Sequence, residues 1–112
     1  MINKNIIITI LILFLTQIVV WYQLNGQLVW KWAKDNPFIL SCLGIPISYL
    51  FILTTKLGYD GFGALWPIRL LGFATGMISF PIITYMMLGE GITVKTAISI
   101  ILSIIIMILQ LI

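Results

Sequence analysis

Residues 93–112 read TVKTAISIILSIIIMILQLI, and no charged side chain follows Lys95 in this stretch. Isoleucine and leucine fill most of it, so a helix built from it is apolar on nearly every side. About 20 apolar residues are enough for a helix to cross the hydrocarbon core of a bilayer. The stretch therefore predicts a membrane-spanning helix.

The rest of the chain repeats this pattern. We predict four helices with short connections, over about 6–22, 37–55, 64–88 and 93–112. Lipid offers no partner to unpaired backbone groups, so the helices are expected to close into a bundle. The predicted fold is all-α, an integral membrane bundle of four transmembrane helices in which residues 1–112 form one domain.

The composition supports this class of protein and excludes others. Of 112 residues, 62% are hydrophobic and 8% are charged, whereas soluble domains carry about 25% charged residues. The net charge of +3 comes from scattered residues, so the basic footprint of a nucleic-acid-binding protein is missing. The chain has no histidine and three acidic residues, which leaves little for catalysis. We predict no enzyme activity, no metal site and no cofactor.

Local signals mark the connections between the helices. Residues 28–34 mix aromatic and basic side chains, which is typical of a segment in the headgroup layer. Pro37 is expected at the first position of the second helix. Gly44 and Pro46 predict a kink within that helix, and residues 57–63 predict a glycine-rich turn after it.

Arg69 is the only charge well separated in sequence from an evident turn. It lies about two turns into the predicted third helix, on a face shared with Trp66. Burying a charge in a membrane costs several kcal/mol, so Arg69 is a candidate binding group for an anionic or carbonyl-bearing substrate. Two alternatives remain open, namely that its side chain reaches the nearby interface or that it pairs with Asp60.

Polar and small residues recur inside the apolar helices. Gln17 requires a partner from another helix or from a substrate. Gly72 and Gly76 form a GxxxG spacing, which indicates close helix packing or the wall of a cavity. Ser99 and Ser103 form a second small pair, which either mediates dimerisation or donates hydrogen bonds to its own helix backbone.

The basic residues are balanced between the two predicted sides of the membrane. Three lie toward each side: Lys4, Lys56 and Arg69 on one, and Lys31, Lys34 and Lys95 on the other. The positive-inside rule then gives almost no preferred orientation. This balance is compatible with dual topology and with an antiparallel dimer.

Residues 82–93, IITYMMLGEGIT, precede the final apolar helix. They resemble the drug/metabolite transporter superfamily, in which an LGE-x-(I/L)-T turn often introduces the last helix. Trp21-Tyr22 at the end of the first helix and Ser48-Tyr49 before Gly58-Tyr59 are also similar to that superfamily. The size resembles its single-repeat branch, which contains the small multidrug resistance proteins and four-helix relatives.

One departure from this pattern changes the expected substrate. Small multidrug resistance exporters carry a membrane-embedded glutamate in the first helix, whereas residues 13–17 here are LFLTQ and contain no carboxylate. Proton-coupled export of cations is therefore not expected. The resemblance implies a substrate site between helices one to three that uses Gln17, Trp66 and Arg69, and Arg69 favours a neutral polar or anionic ligand.

The leading hypothesis is a small transporter-like protein that works as a homodimer in a bacterial-type inner membrane. The alternative is a non-catalytic structural subunit of a larger membrane assembly, which needs only apolar faces, small-residue packing and interfacial aromatics. A third reading, a pore-forming holin-like protein, predicts growth arrest on expression. The lipid bilayer is the one partner common to all three.

Overall fold

The computed structural model describes residues 3–112, and this part of the chain is helical without strands. Residues 1 and 2 of the predicted domain lie outside the described residues. The all-α fold class is confirmed. The helices are α1 (Lys4–Asn25), α2 (Lys31–Asp35), α3 (Pro37–Ser41), α4 (Gly44–Phe62), α5 (Trp66–Leu88) and α6 (Val94–Leu111), with a 3₁₀ turn at Gly26–Leu28.

Four helical segments are long and apolar enough to cross a membrane. They are Lys4–Leu28, Pro37–Phe62, Trp66–Leu88 and Val94–Leu111. Each corresponds to one of the four predicted helices, and the third and fourth are slightly shorter than predicted. The first and second extend further toward their C-terminal ends than the sequence pattern predicts, because polar and glycine residues there continue the helix.

The second of these segments is interrupted between α3 and α4, immediately before Gly44. Pro46 explains the position, because proline lacks a backbone N–H and its ring clashes with the carbonyl four residues earlier, that of Cys42. Beyond this break α4 runs through most of the predicted turn at 57–63. It ends at Phe62, and Gly63 follows with a φ of 71°, the left-handed conformation typical of the residue after a helix.

α1 is the central helix, and α4 and α5 pack on either side of it. The N-terminal end of α1 is tied to the C-terminal end of α4, because Asn3 Nδ2 donates a hydrogen bond to Gly61 O at 3.3 Å. α1 and α4 are therefore antiparallel. Trp21 Nε1 donates to Thr84 Oγ1 at 2.9 Å, well along α5, so α1 and α5 run parallel.

α6 packs on the outer side of α5. The described chain is consequently flat, with extents of 45 × 35 × 18 Å. Half of the α6 side chains are exposed, and they include a broad isoleucine and leucine surface. The arrangement is an open layer with α1 at its centre and α6 at one edge.

The interior between the helices is rich in small hydroxyl side chains. Thr9, Thr16 and Thr75 are fully buried. Thr9 Oγ1 donates to Asn5 O and Thr16 Oγ1 to Ile12 O, each at 2.7 Å. These bonds to the preceding helical turn satisfy the hydroxyls without a partner helix. The small side chains therefore permit close packing at no cost in unpaired polar groups.

Candidate functional site

A cleft of about 720 Å³ lies between α4 and α5, with α1 as its floor. The cleft forms because α4 and α5 both pack on α1 but touch each other over only a short length. Its volume is within the range of small-molecule sites, about 300–1,000 Å³. The lining residues are Leu13, Gln17, Phe51, Thr54, Thr55, Leu65, Trp66, Ile68, Arg69, Gly72 and Phe73.

The structure brings together the three residues proposed from sequence as substrate-binding. Gln17 comes from the middle of α1, whereas Trp66 and Arg69 come from the first turn of α5. They meet because α1 and α5 run parallel and side by side. Their role in binding a substrate remains a prediction, since the geometry shows only that they share one cleft.

Gln17 is held in place by α5. Its Nε2 donates a hydrogen bond to the backbone carbonyl of Gly72 at 3.0 Å. Its amide group lies over Gly76, where an added Cβ would come within 3.0 Å of Gln17 Oε1. Gly76 therefore leaves room for the Gln17 amide, and the backbone carbonyl of Gly72 accepts its hydrogen bond.

Arg69 is the one charged residue that lines the cleft. α5 begins at Trp66, two residues later than the predicted helix, so Arg69 lies in the first turn instead of two turns inside. The α4–α5 turn is responsible, because Gly63 takes the left-handed conformation and delays the start of α5. Arg69 is exposed.

The electrostatics at this end of the cleft favour an anion. The guanidinium of Arg69 carries a fixed positive charge and a planar set of N–H donors that match a carboxylate or phosphate. The N-terminal end of α5 adds the positive end of its helix dipole. Phe51, Leu65 and Phe73 supply apolar lining of the same cleft.

Two glycines that sequence patterns assigned to a turn are instead packing residues of α4. A Cβ at Gly58 would lie 2.6 Å from Ile68 Cγ1, and one at Gly61 would lie 2.8 Å from Ile6 Cγ1. Their spacing of three residues, which places both on one helix face, was the available signal. The cluster of glycines concealed it, because such a cluster also predicts a turn.

Ser99 and Ser103 donate hydrogen bonds within their own helix. Ser99 Oγ donates to Lys95 O at 3.0 Å, and Ser103 Oγ donates to Ser99 O at 2.8 Å. Ser103 is only 2% exposed, on a helix that packs against α5. Ser103 therefore serves the packing of α6 within the chain, whereas a dimer role for the half-buried Ser99 stays a prediction.

The described residues contain no cluster of three or more histidine, cysteine or acidic side chains that could hold a metal ion. No protein-family model, curated protein or solved structure matches the chain. The chemistry of the cleft is thus what bears on function. The described lining of the cleft offers one cation, one amide and aromatic surface.

Proposed function

We propose that this chain is a multi-pass membrane protein that binds and moves a small polar or anionic metabolite through the cleft between α4 and α5. Four helices of membrane-spanning length and a hydrophobic content of 62% support insertion into a bilayer. In that setting the apolar exterior of the helices contacts lipid, and the cleft is the place where polar groups gather.

The observation that carries this proposal is the meeting of Arg69, Gln17 and Trp66 in one cleft. Arg69 is exposed in the first turn of α5 and lines this cleft, and charges that line a membrane cavity typically pair with another group. An anionic substrate supplies that partner, because the charge-assisted hydrogen bonds of a guanidinium strengthen where water is scarce. Positively charged substrates are disfavoured by the same group.

A homodimer is part of the proposal because one chain forms only an open cleft. The cleft is lined by α1, α4 and α5 and receives nothing from α6. A second copy of this chain facing the first would enclose it and give a pathway across the bilayer. The balanced basic residues and the resemblance to single-repeat transporters support an antiparallel arrangement of the two copies.

The proposal is tested with purified protein in proteoliposomes, using currents evoked by rapid addition of benzoate or of benzylammonium. We expect a current with benzoate and little with benzylammonium. Replacing Arg69 with glutamine should lower the apparent benzoate affinity about 10- to 100-fold, since hydrogen bonds to charged groups contribute about 1.5–3 kcal/mol. Arg69→Lys should retain part of the response.

The matched control is Lys56→Gln, which removes one positive charge at the same end of the molecule from an exposed residue outside the cleft. This variant should behave like the wild type. An Arg69→Gln protein with wild-type benzoate currents, or equal loss in both variants, would show that the cleft does not select anions through Arg69.

The alternative function is that of a structural subunit of a larger membrane assembly. The exposed apolar surface of α6 favours it, because such a surface can pack against helices of another protein as well as against lipid. The mass of the particle extracted in mild detergent separates the two. Twice the chain mass of 12.6 kDa supports the homodimer, and a larger particle of fixed stoichiometry with other chains supports the assembly.

A further inference from the structure

A second cavity, of about 320 Å³, lies in the connection between α1 and α3. It is lined by Gln27, Leu28, Val29, Trp30, Lys31 and Lys34. This connection follows the C-terminal end of α1, whereas Arg69 lies at the opposite end of the molecule near the N-terminal end of α1. The proposed transport cleft uses none of these residues.

A row of aromatic rings connects the segment that lines the cavity to α1. Trp30 stacks on Tyr22 at 5.6 Å and on Trp32 at 6.0 Å between ring centroids. Tyr22 in turn meets Trp21 edge to face at 5.2 Å. Trp21 is buried and bonded to Thr84 of α5. The cavity wall is therefore ordered before any ligand arrives, which lowers the entropy cost of binding.

The charges of the cavity select an anion. Lys31 and Lys34 are three residues apart, so they project from one face of α2. The two ammonium groups repel each other while the site is empty, because like charges at this spacing destabilise a helix. Among residues 3–112, no acidic side chain lines the cavity. An anionic group between the two ammonium groups would relieve this repulsion and bind both.

The surroundings of the cavity are apolar as well as charged. Trp32, Leu28 and Phe38 are 52%, 63% and 80% exposed. Tryptophan rings with a basic residue beside them are typical of the headgroup level of a bilayer. An occupant with an anionic head and an apolar tail fits both parts of this surface, whereas free phosphate uses only the lysines.

We propose that the Gln27–Lys34 segment binds the headgroup phosphate of an anionic phospholipid, with the acyl chains along Leu28 and Phe38. The proposal rests on the membrane insertion in the proposed function, but not on transport. The proposed lipid partner of the Gln27–Lys34 segment lies at the end of the molecule opposite to Arg69.

The test is retention of lipid after extraction from nanodiscs that contain equal amounts of phosphatidylglycerol and phosphatidylcholine with the same acyl chains. Native mass spectrometry counts the lipids that stay bound. The wild type should retain phosphatidylglycerol in preference. Each lysine near a membrane surface is worth about fivefold in affinity for anionic lipid, so the double variant Lys31→Gln/Lys34→Gln should lose about 25-fold.

The control is Lys56→Gln/Lys95→Gln, which removes the same charge outside the cavity and should retain phosphatidylglycerol like the wild type. Equal retention of both lipids by the wild type, or equal losses in both double variants, overturns the proposal. Complete displacement by excess inorganic phosphate overturns the choice of a lipid. Benzoate currents are recorded from proteoliposomes of the same variants, so loss of transport with intact lipid retention counts against the transport function alone.

Discussion

The glycines of α4 and α5 allow a direct test of which close approaches hold the helices together. An alanine at Gly58 would place its Cβ 2.6 Å from Ile68 Cγ1 and 3.3 Å from Thr9 Cγ2. An alanine at Gly72 would meet nothing nearer than Leu13 Cδ2 at 3.9 Å. Both positions lie inside helices, so the gain in helix propensity from glycine to alanine is about the same for each.

The expected difference follows from these distances. Carbon atoms pack best at about 3.5–4.0 Å, so Ile68 would have to retreat by about 1 Å from a Cβ at Gly58. Ile68 is buried and branched at Cβ, which restricts its rotamers in a helix. Overpacking of this kind costs about 1–3 kcal/mol. We expect Gly58→Ala to have a free energy of unfolding lower than that of Gly72→Ala by about that amount.

The assay is reversible unfolding of each variant in mixed micelles, followed by circular dichroism as the fraction of denaturing detergent rises. Gly72→Ala should be equal to or more stable than the wild type. If Gly72→Ala is destabilised as much as Gly58→Ala, close approach at Gly58 is not what limits packing. The reasoning from Cβ distances would then be refuted.

Gly76→Ala tests the cleft more than the stability. Its Cβ would come within 3.0–3.3 Å of three atoms of one side chain, that of Gln17. Gln17 can move, but it would then lose its hydrogen bond to Gly72 O. We expect the free energy of unfolding to fall by about 0.6 kcal/mol, the average for a hydrogen bond between membrane helices. The benzoate affinity should also fall, because Gln17 lines the cleft. Gly72→Ala, whose Cβ would meet no atom of Gln17, is the control for the free energy of unfolding.

Two further predictions concern the outer parts of the structure and use the same unfolding assay. Trp21→Phe removes the buried hydrogen bond to Thr84 Oγ1 and should lower the free energy of unfolding by about 1 kcal/mol. The control Trp32→Phe, at a half-exposed ring, should have little effect. Equal effects of the two variants would contradict a structural role for the hydrogen bond. Ser103→Leu should lower the free energy of unfolding by about 1–3 kcal/mol, because the larger side chain overpacks against α5. Ser99→Leu should lower it less, because Ser99 is only half-buried. The reverse order would mean that α6 is rotated about its axis and turns Ser99 toward α5.

Some features of the site could be read from the sequence because they depend on single residues. An arginine in an apolar helix, a glutamine in another and a tryptophan one turn before the arginine are conspicuous where charged residues make up only 8% of the chain. That they line one cleft could not be read from the sequence. It depends on α1 lying beside α5 in parallel, which no local pattern specifies.

The helix ends show the same division. The break before Gly44 was close to the kink expected from Gly44 and Pro46, because proline acts on its own helix within one turn. The continuation of α4 through 57–62 was not anticipated. Glycine is compatible with a turn and with a close helix contact, and only the presence of Ile6 and Ile68 at contact distance decides between them.

The sequence by itself determined that this chain forms four long apolar helices, because hydrophobicity and length act segment by segment. It also singled out Arg69 as the charge that is well separated in sequence from an evident turn. The tertiary structure decided which helices are neighbours and that α4 and α5 leave a cleft above α1. It also decided that Gln17 donates a hydrogen bond to Gly72 O and packs against Gly76. Those outcomes arise from the fit of side chains on different helices, and that fit exists only once the helices are together.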